Sequence, residues 1–175
     1  MILHDNQRVN VVVRGLVFQD DHLLVTQWRT DGLAFAVGGR VEFGESLIET
    51  LHREVREETG AEVVAYRLVY FAENIFTNDD GFDYHEYGWY FWVETDRPVC
   101  RLDEIIPNPD HPDLVIRYLP VSRAGLHNFW PAFLRQYLPA DWPERFAGAP
   151  RYLHSRDSRA GEFEVRELDG LFERR

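Results

Sequence analysis

Asn10 to Phe18 is rich in valine, and after a polar break at Asp20-Asp21 a second apolar run follows from His22 to Trp28. Two such runs around a short polar turn predict a hairpin. Leu33 to Val37 reads as a short strand running into Gly38-Gly39. Ser46 to Thr59 reads as a helix: Ser46 with Glu49 three residues on forms a capping box, and Gly60 supplies the stop. Val63 to Phe76 and Tyr84 to Glu94 are long β-branched and aromatic runs, separated by the turn-rich Thr77-Asn78-Asp79-Asp80-Gly81. They predict two antiparallel strands. Leu114 to Leu119 is a further strand, and Ser122 to Leu138 has the apolar spacing of a helix interrupted near Pro131. This order predicts an α+β fold, a mixed sheet sandwiched between helices.

At 175 residues and 20.6 kDa the chain is one domain in size. A chain of this length buries about 70% of its unfolded surface, so it folds without staples. We divide it into a domain over residues 1–140 and an extension over 141–175, expected to pack on the same domain or at a subunit interface. Within the extension, Phe163 to Leu168 alternates like an edge strand. The single cysteine, Cys100, excludes an internal disulfide and any cysteine-rich metal site. Trp89 to Val93, the longest dense apolar run, is far below the roughly 20 residues of a membrane span. Met1 to Asp5 is too short and too acidic for a signal peptide, so a cytoplasmic protein is expected.

Charge narrows the chemistry further. The net charge is −11, and the 19 basic residues are all arginine. An acidic, lysine-free chain argues against a nucleic-acid polymer as partner, and it has no Schiff-base or phosphate-loop lysine. Its four serines lie in no Gly-x-Ser-x-Gly elbow, no His-x-x-x-His pair exists, and there is no Gly-x-Gly-x-x-Gly. Residues 42–62, by contrast, hold seven glutamates against two arginines. At about 100° per residue, Glu54, Glu57 and Glu58 converge on one arc of the predicted helix. A solvated acidic face is the ordinary reading of such a helix. Glu58, however, projects between Leu47 and Leu51, on the stripe that should face the protein, and a carboxylate there needs a cationic partner. A hard divalent cation on oxygen ligands is the natural candidate. Arg53 can pair with Glu57 one turn on, and Glu45 lies within its reach.

Gly39, five residues, Glu45, seven residues, then Arg53-Glu54-Val55-Arg56-Glu57-Glu58-Thr59-Gly60 resembles the signature box of the Nudix hydrolases. Every acidic, arginine and glycine position of the box is filled. Two positions depart from the usual pattern: Ala61 stands where a larger aliphatic is common, and Val37 where proline often precedes the glycines. The resemblance implies a Nudix-type α/β/α sandwich with a central loop–helix–loop. It also implies hydrolysis of a pyrophosphate bond in a nucleoside di- or triphosphate, or a nucleoside diphosphate derivative, by water attack at phosphorus. Carried onto this chain, it makes Glu54, Glu57 and Glu58 ligands of Mg²⁺ or Mn²⁺, with Gly39 offering a carbonyl. Glu45 and Arg53 would orient the cluster. Such an ion lets an acidic protein bind an acidic substrate.

The general base is open among the box glutamates and the later carboxylates Glu86, Glu104 and Asp113, each of which also reads as a surface or turn residue. The marks of the coenzyme A, NADH, ADP-ribose and diadenosine-polyphosphate types are all absent. For the small-molecule nucleotide itself, Trp28, Phe76, Tyr84 and Tyr87 could stack a base, with Trp28 and Phe76 taken as the candidates and Arg29 as a candidate phosphate contact. Tyr87, Trp89, Phe91 and Val93 alternate on one strand face and read as core. A catalytically silent nucleotide-binding module of the same fold is the alternative to an enzyme. Isomerase relatives need a catalytic cysteine, and Cys100 lies in no matching motif. Assembly is expected to be monomeric or homodimeric.

Overall fold

The computed structural model describes residues 4–148, 150–157 and 163–168. These form β1 (Gln7–Gln19), β2 (His22–Trp28), β3 (Ala34–Arg40), α1 (Leu47–Thr59), β4 (Val63–Thr77), β5 (Asp83–Thr95) and β6 (Ile105–Pro107). There follow β7 (Leu114–Pro120), β8 (Phe129–Trp130), α2 (Leu134–Asp141), β9 (Arg151–Asp157) and β10 (Phe163–Glu167). Strands lie in the order β10-β9-β4-β5-β1-β3-β2-β7-β6, with β8 beside β3. β1 runs parallel to β5 and β4 parallel to β9, while β4–β5, β1–β3 and β2–β7 are antiparallel, so the sheet is mixed.

Alternation along the strands builds two apolar layers. Val13, Val17, Val37, Phe91 and Val93 pack on Leu51 and Val55 of α1. On the other side Leu16, Ala36, Tyr70 and Tyr90 pack on Phe133 and on Leu134 and Leu138 of α2. A register shift between Leu68 and Tyr70 puts both Val69 and Tyr70 in the second layer. The expected α/β/α arrangement is therefore present. After residue 140, β9 and β10 lengthen the same sheet at the β4 edge, where Arg151 joins Asp141 at 2.7 Å and Glu167 at 2.7 Å.

Two local expectations are corrected. The β1–β2 turn exists, but only Phe18↔Leu23 and Gln19↔His22 pair across it. Beyond that turn the strands part, because β1 is the sheet's centre and takes β3 and β5 as neighbours. The single helix expected over Ser122 to Leu138 is instead a turn, a two-residue strand and a shorter helix. Proline cannot donate at position 131, and the Asn128 carbonyl is taken by the Ala34 amide at 2.9 Å, which ties this segment to β3.

Helix α1 begins and ends where the sequence marks it. Ser46 Oγ accepts from the Glu49 amide at 3.2 Å, Glu49 Oε2 accepts from the Ser46 amide at 2.8 Å, and Gly60 takes φ 68°. Burial of Leu51 and Val55, about 1.5–3 kcal/mol each, outweighs this cap. Ser46→Ala is accordingly expected to cost only about 1 kcal/mol in urea denaturation. No measurable change would show that the cap is redundant.

Candidate active site

The loop from Gly38 to Ser46 and helix α1 bring the box residues together. Arg53 is the hub: Nε and Nη2 donate to the two Glu45 oxygens at 2.7 and 2.9 Å. Nη1 donates to Glu54 at 2.7 Å and Glu57 at 3.1 Å, and Nη2 also reaches the Arg40 carbonyl at 3.2 Å. The pairings with Glu45 and Glu57 match the sequence reading; those with Glu54 and Arg40 were not foreseen. Glu45 is further fixed by the buried Thr50 hydroxyl at 2.9 Å. The Arg53 hydrogen bonds hold the Glu45 carboxyl down at about 2, and the same bonds raise the Arg53 guanidinium.

Glu58 turns inward, where its Oε2 accepts from Thr26 Oγ1 at 3.1 Å and from the Gly38 amide at 3.3 Å. Burial pushes its carboxyl up to about 7, against the opposing charge of Arg14 and the Thr26 hydroxyl. Because this folded pKa lies above the ordinary 4.5, the native state holds the proton more tightly than the unfolded chain. The resulting stability is complete below pH 4.5 and is lost as pH rises through about 7. Glu45 has the opposite sign: its contribution is present above pH 4.5 and is lost as pH falls towards about 2. With chelator present, the melting temperature is expected to fall between about pH 5 and pH 8, and less steeply in Glu58→Gln. An identical slope in that variant would contradict the assignment.

Gly38 and Gly39 are required by close approach. Gly38 has φ 127°, and a Cβ there would overlap the Val13 carbonyl oxygen; at Gly39 it would overlap the Glu54 carboxylate. Gly39, Glu54 and Arg53 are thus one packed unit. Among the described residues, no three His, Cys, Asp or Glu side chains converge on one point as they stand. Arg53 lies between Glu54 and Glu57, and Glu58 is engaged with Thr26. The donor set nonetheless fits a hard divalent cation. Its side chains offer only carboxylate oxygens, the Glu57 side chain is 49% exposed, and the missing side chain at Gly39 lets the Glu54 carboxylate lie against that backbone.

Beside this unit lies a cleft of about 460 Å³, with Gly39 and Arg40 in its lining. Its aromatic walls are Trp28, Phe76, Tyr84 and Trp130, with Phe76 stacked on Tyr84 at 5.0 Å and Trp130 edge-on to Phe76 at 5.2 Å. Glu86, Asn10 and Arg14 also line it. Of the three substrate candidates, Trp28 and Phe76 line this cleft. Arg29 does not: it is exposed, and its amide donates to the Asp113 carbonyl at 3.0 Å. Of the three later carboxylates only Glu86 lines it. Glu104 is exposed and closes a turn onto the Arg101 amide at 3.1 Å, and Asp113 is exposed beside β7. Glu86 shares the strand face of Tyr90, in the α2 layer, whereas the helix glutamates belong to α1.

Sequence reading missed Arg14. Its Nη1 donates to the carbonyls of Gly38 and of Ala36, the latter at 3.2 Å, bracing β3 where it turns into the box. The available signal was an arginine interrupting a valine-rich strand.

A family model described as NUDIX domain matches residues 8–140. The mutator MutT protein from Bacillus halodurans superposes with a TM-score of 0.61 at 18% identity, covering 90% of this chain and 97% of its own. The NUDIX hydrolase from Nitrosomonas europaea superposes with a TM-score of 0.52 at 24% identity, covering 78% of this chain and 90% of its own. At these identities the structures establish the fold. No curated protein matches the sequence.

Proposed function

The chain belongs to the NUDIX domain family, and on that premise we propose that it is a Mg²⁺- or Mn²⁺-dependent hydrolase of nucleotides. Its reaction is cleavage of a pyrophosphate bond in a nucleoside di- or triphosphate, or a nucleoside diphosphate derivative, by water attack at phosphorus. The family acts on phosphorus anhydrides in general; the metal, the substrate and the roles of individual residues are this proposal's own.

The observation that carries the reading is the complete acidic box knitted by Arg53 next to an aromatic cleft. In this reading Glu54, Glu57 and Glu58, with the Gly39 carbonyl, hold the divalent ion. When bound, the ion neutralises the polyphosphate, polarises a phosphoryl oxygen and lowers the pKa of the attacking water. Arg53 and Glu45 keep the carboxylates in register. Trp28 and Phe76 stack on the planar part of the substrate, a contact of about 1–3 kcal/mol per base. A box glutamate takes the proton from water. Glu86 is less suited to that role because it belongs to the α2 layer, although burial raises its carboxyl above the ordinary range.

Turnover of a nucleotide panel tests this reading. Cleavage with Mg²⁺ that stops on addition of chelator is expected for nucleoside triphosphates, nucleotide sugars or dinucleoside polyphosphates. Binding without turnover across the whole panel would instead identify a silent module of the same fold.

A further inference from the structure

Asn10, Glu86, Asn74 and Ser155 stand in one row across four adjacent strands. The register pairs Asn10 with Glu86, Glu86 with Asn74, and Asn74 with Ser155, on β1, β5, β4 and β9. Strand parity puts the row on the α2 side: Glu86 is four residues from Tyr90, and Asn74 two from Ala72, both in that core layer. Three of its members are deeply buried, with Glu86 8%, Asn74 1% and Ser155 0% exposed, while Asn10 at its end is half-buried. Ser155 Oγ extends it by donating to Asp157 Oδ1 at 3.0 Å.

The row is polar where the layer around it is apolar, and it is under-satisfied. Among the described residues, neither side-chain polar atom of Asn74 has a hydrogen-bond partner, nor does Asp157 Oδ2. Buried polar groups in native proteins are nearly always paired, so an orphan amide beside a cleft points to a group that arrives with a ligand or is reoriented by one. The end of the row opens into the cleft, since Asn10 and Glu86 line it together with Trp28, Phe76, Tyr84 and Trp130. Planar walls with a hydrogen-bonding floor suit a flat heterocycle, held by stacking and read along its edge. They offer much less to a sugar, which has no face to stack. A carboxylate accepts and does not donate, so the edge it reads must carry N–H groups.

Resting on the reading of this site as a nucleotide hydrolase, we propose that Glu86 is its specificity-determining residue. Its carboxylate accepts N–H donors from the edge of the substrate's nucleobase, and Asn74 and Asn10 on either side position it. Asn74 does not touch the ligand; its amide sits beside Glu86 across the β4–β5 pair and is available to fix the carboxylate once a base is bound. Ser155 and Asp157 continue the row on β9, outside the matched span of 8–140, so the extension belongs to the same device.

Equilibrium binding without metal isolates this inference from catalysis. Calorimetric titration of the full chain in chelator uses AMP, GMP, CMP and UMP, with ribose 5-phosphate as the ligand lacking a base. The wild type is expected to separate the four nucleotides by about tenfold or more and to bind ribose 5-phosphate more weakly than its preferred nucleotide. Glu86→Gln replaces two acceptors by one acceptor and one donor, and it should change the ratio among the bases by about tenfold while moving ribose 5-phosphate little. Asn74→Leu should narrow the preference in the same direction. Equal affinity of the wild type for all four nucleotides and for ribose 5-phosphate, or no binding of any, overturns the proposal without recourse to a variant. A uniform loss across the four bases in Glu86→Gln, with the fold intact by circular dichroism, overturns it as well. Base-selective binding in a protein that hydrolyses nothing would uphold Glu86 and reject the enzyme reading, so the two fail separately.

Discussion

Glu57→Gln and Glu58→Gln are each expected to lower turnover by about 10²–10³-fold while the protein stays folded. Glutamine preserves shape but removes the charge that a divalent ion requires, and hard cations discriminate sharply between carboxylate and amide oxygens. The two sites should nonetheless differ in stability. Glu57 is half exposed and, among the described residues, pairs only with Arg53, so its loss costs little. Glu58 is half-buried and turned inward, its carboxyl pushed up to about 7, so its neutral replacement should leave the metal-free protein as stable as the wild type or more so near pH 8. Titration with Mn²⁺ reads the assignment directly: weaker binding is expected in both variants, and unchanged affinity in both would refute it.

Arg53→Lys is expected to reduce kcat by about a hundredfold with KM little changed. The substitution keeps the charge, so a purely electrostatic role would survive it. The geometry demands more than charge: one guanidinium serves both oxygens of Glu45, one of Glu54 and one of Glu57, and it also bonds the Arg40 carbonyl. A lysine ammonium has three donors around a single atom and cannot span those partners. Glu54 and Glu57 would then lose their common anchor and the carboxylates would spread. On the proposed function, Arg53 organises the carboxylates of the box rather than contacting substrate. Raised KM with kcat intact would assign Arg53 to the substrate phosphates and contradict this.

Local signals carried the box. Ser46, Glu49 and Gly60 bound α1 by rules that act within a few residues, and the i, i+3 and i+4 spacing of its glutamates needs only helical geometry. Even the inward turn of Glu58 was legible, because Leu47 and Leu51 mark the side that faces the sheet. Features set by distant partners were not. That β1 would abandon its hairpin mate for β3 and β5 depends on a strand 76 residues away in sequence, Val13 pairing with Trp89 for example. Arg29 and Asp113 look alike in sequence to residues that do reach a cleft, yet their backbones pair with each other at the surface. The row of Asn10, Glu86, Asn74 and Ser155 is invisible until four strands are laid side by side, since each residue alone reads as an ordinary polar interruption. Helix periodicity misled over Ser122 to Leu138 because apolar spacing there reflects packing against β3 and α2's own core, not one continuous helix.

Whether water breaks a pyrophosphate bond of a nucleotide at this site is read by phosphorus NMR of the nucleotide panel with Mg²⁺ in ¹⁸O-enriched water. New phosphate or pyrophosphate signals are expected, carrying one ¹⁸O from solvent on a phosphorus of the cleaved bond. They should be absent in chelator and nearly absent in Glu57→Gln. An unchanged spectrum across nucleoside triphosphates, nucleotide sugars and dinucleoside polyphosphates, or products with no solvent oxygen on phosphorus, would contradict it.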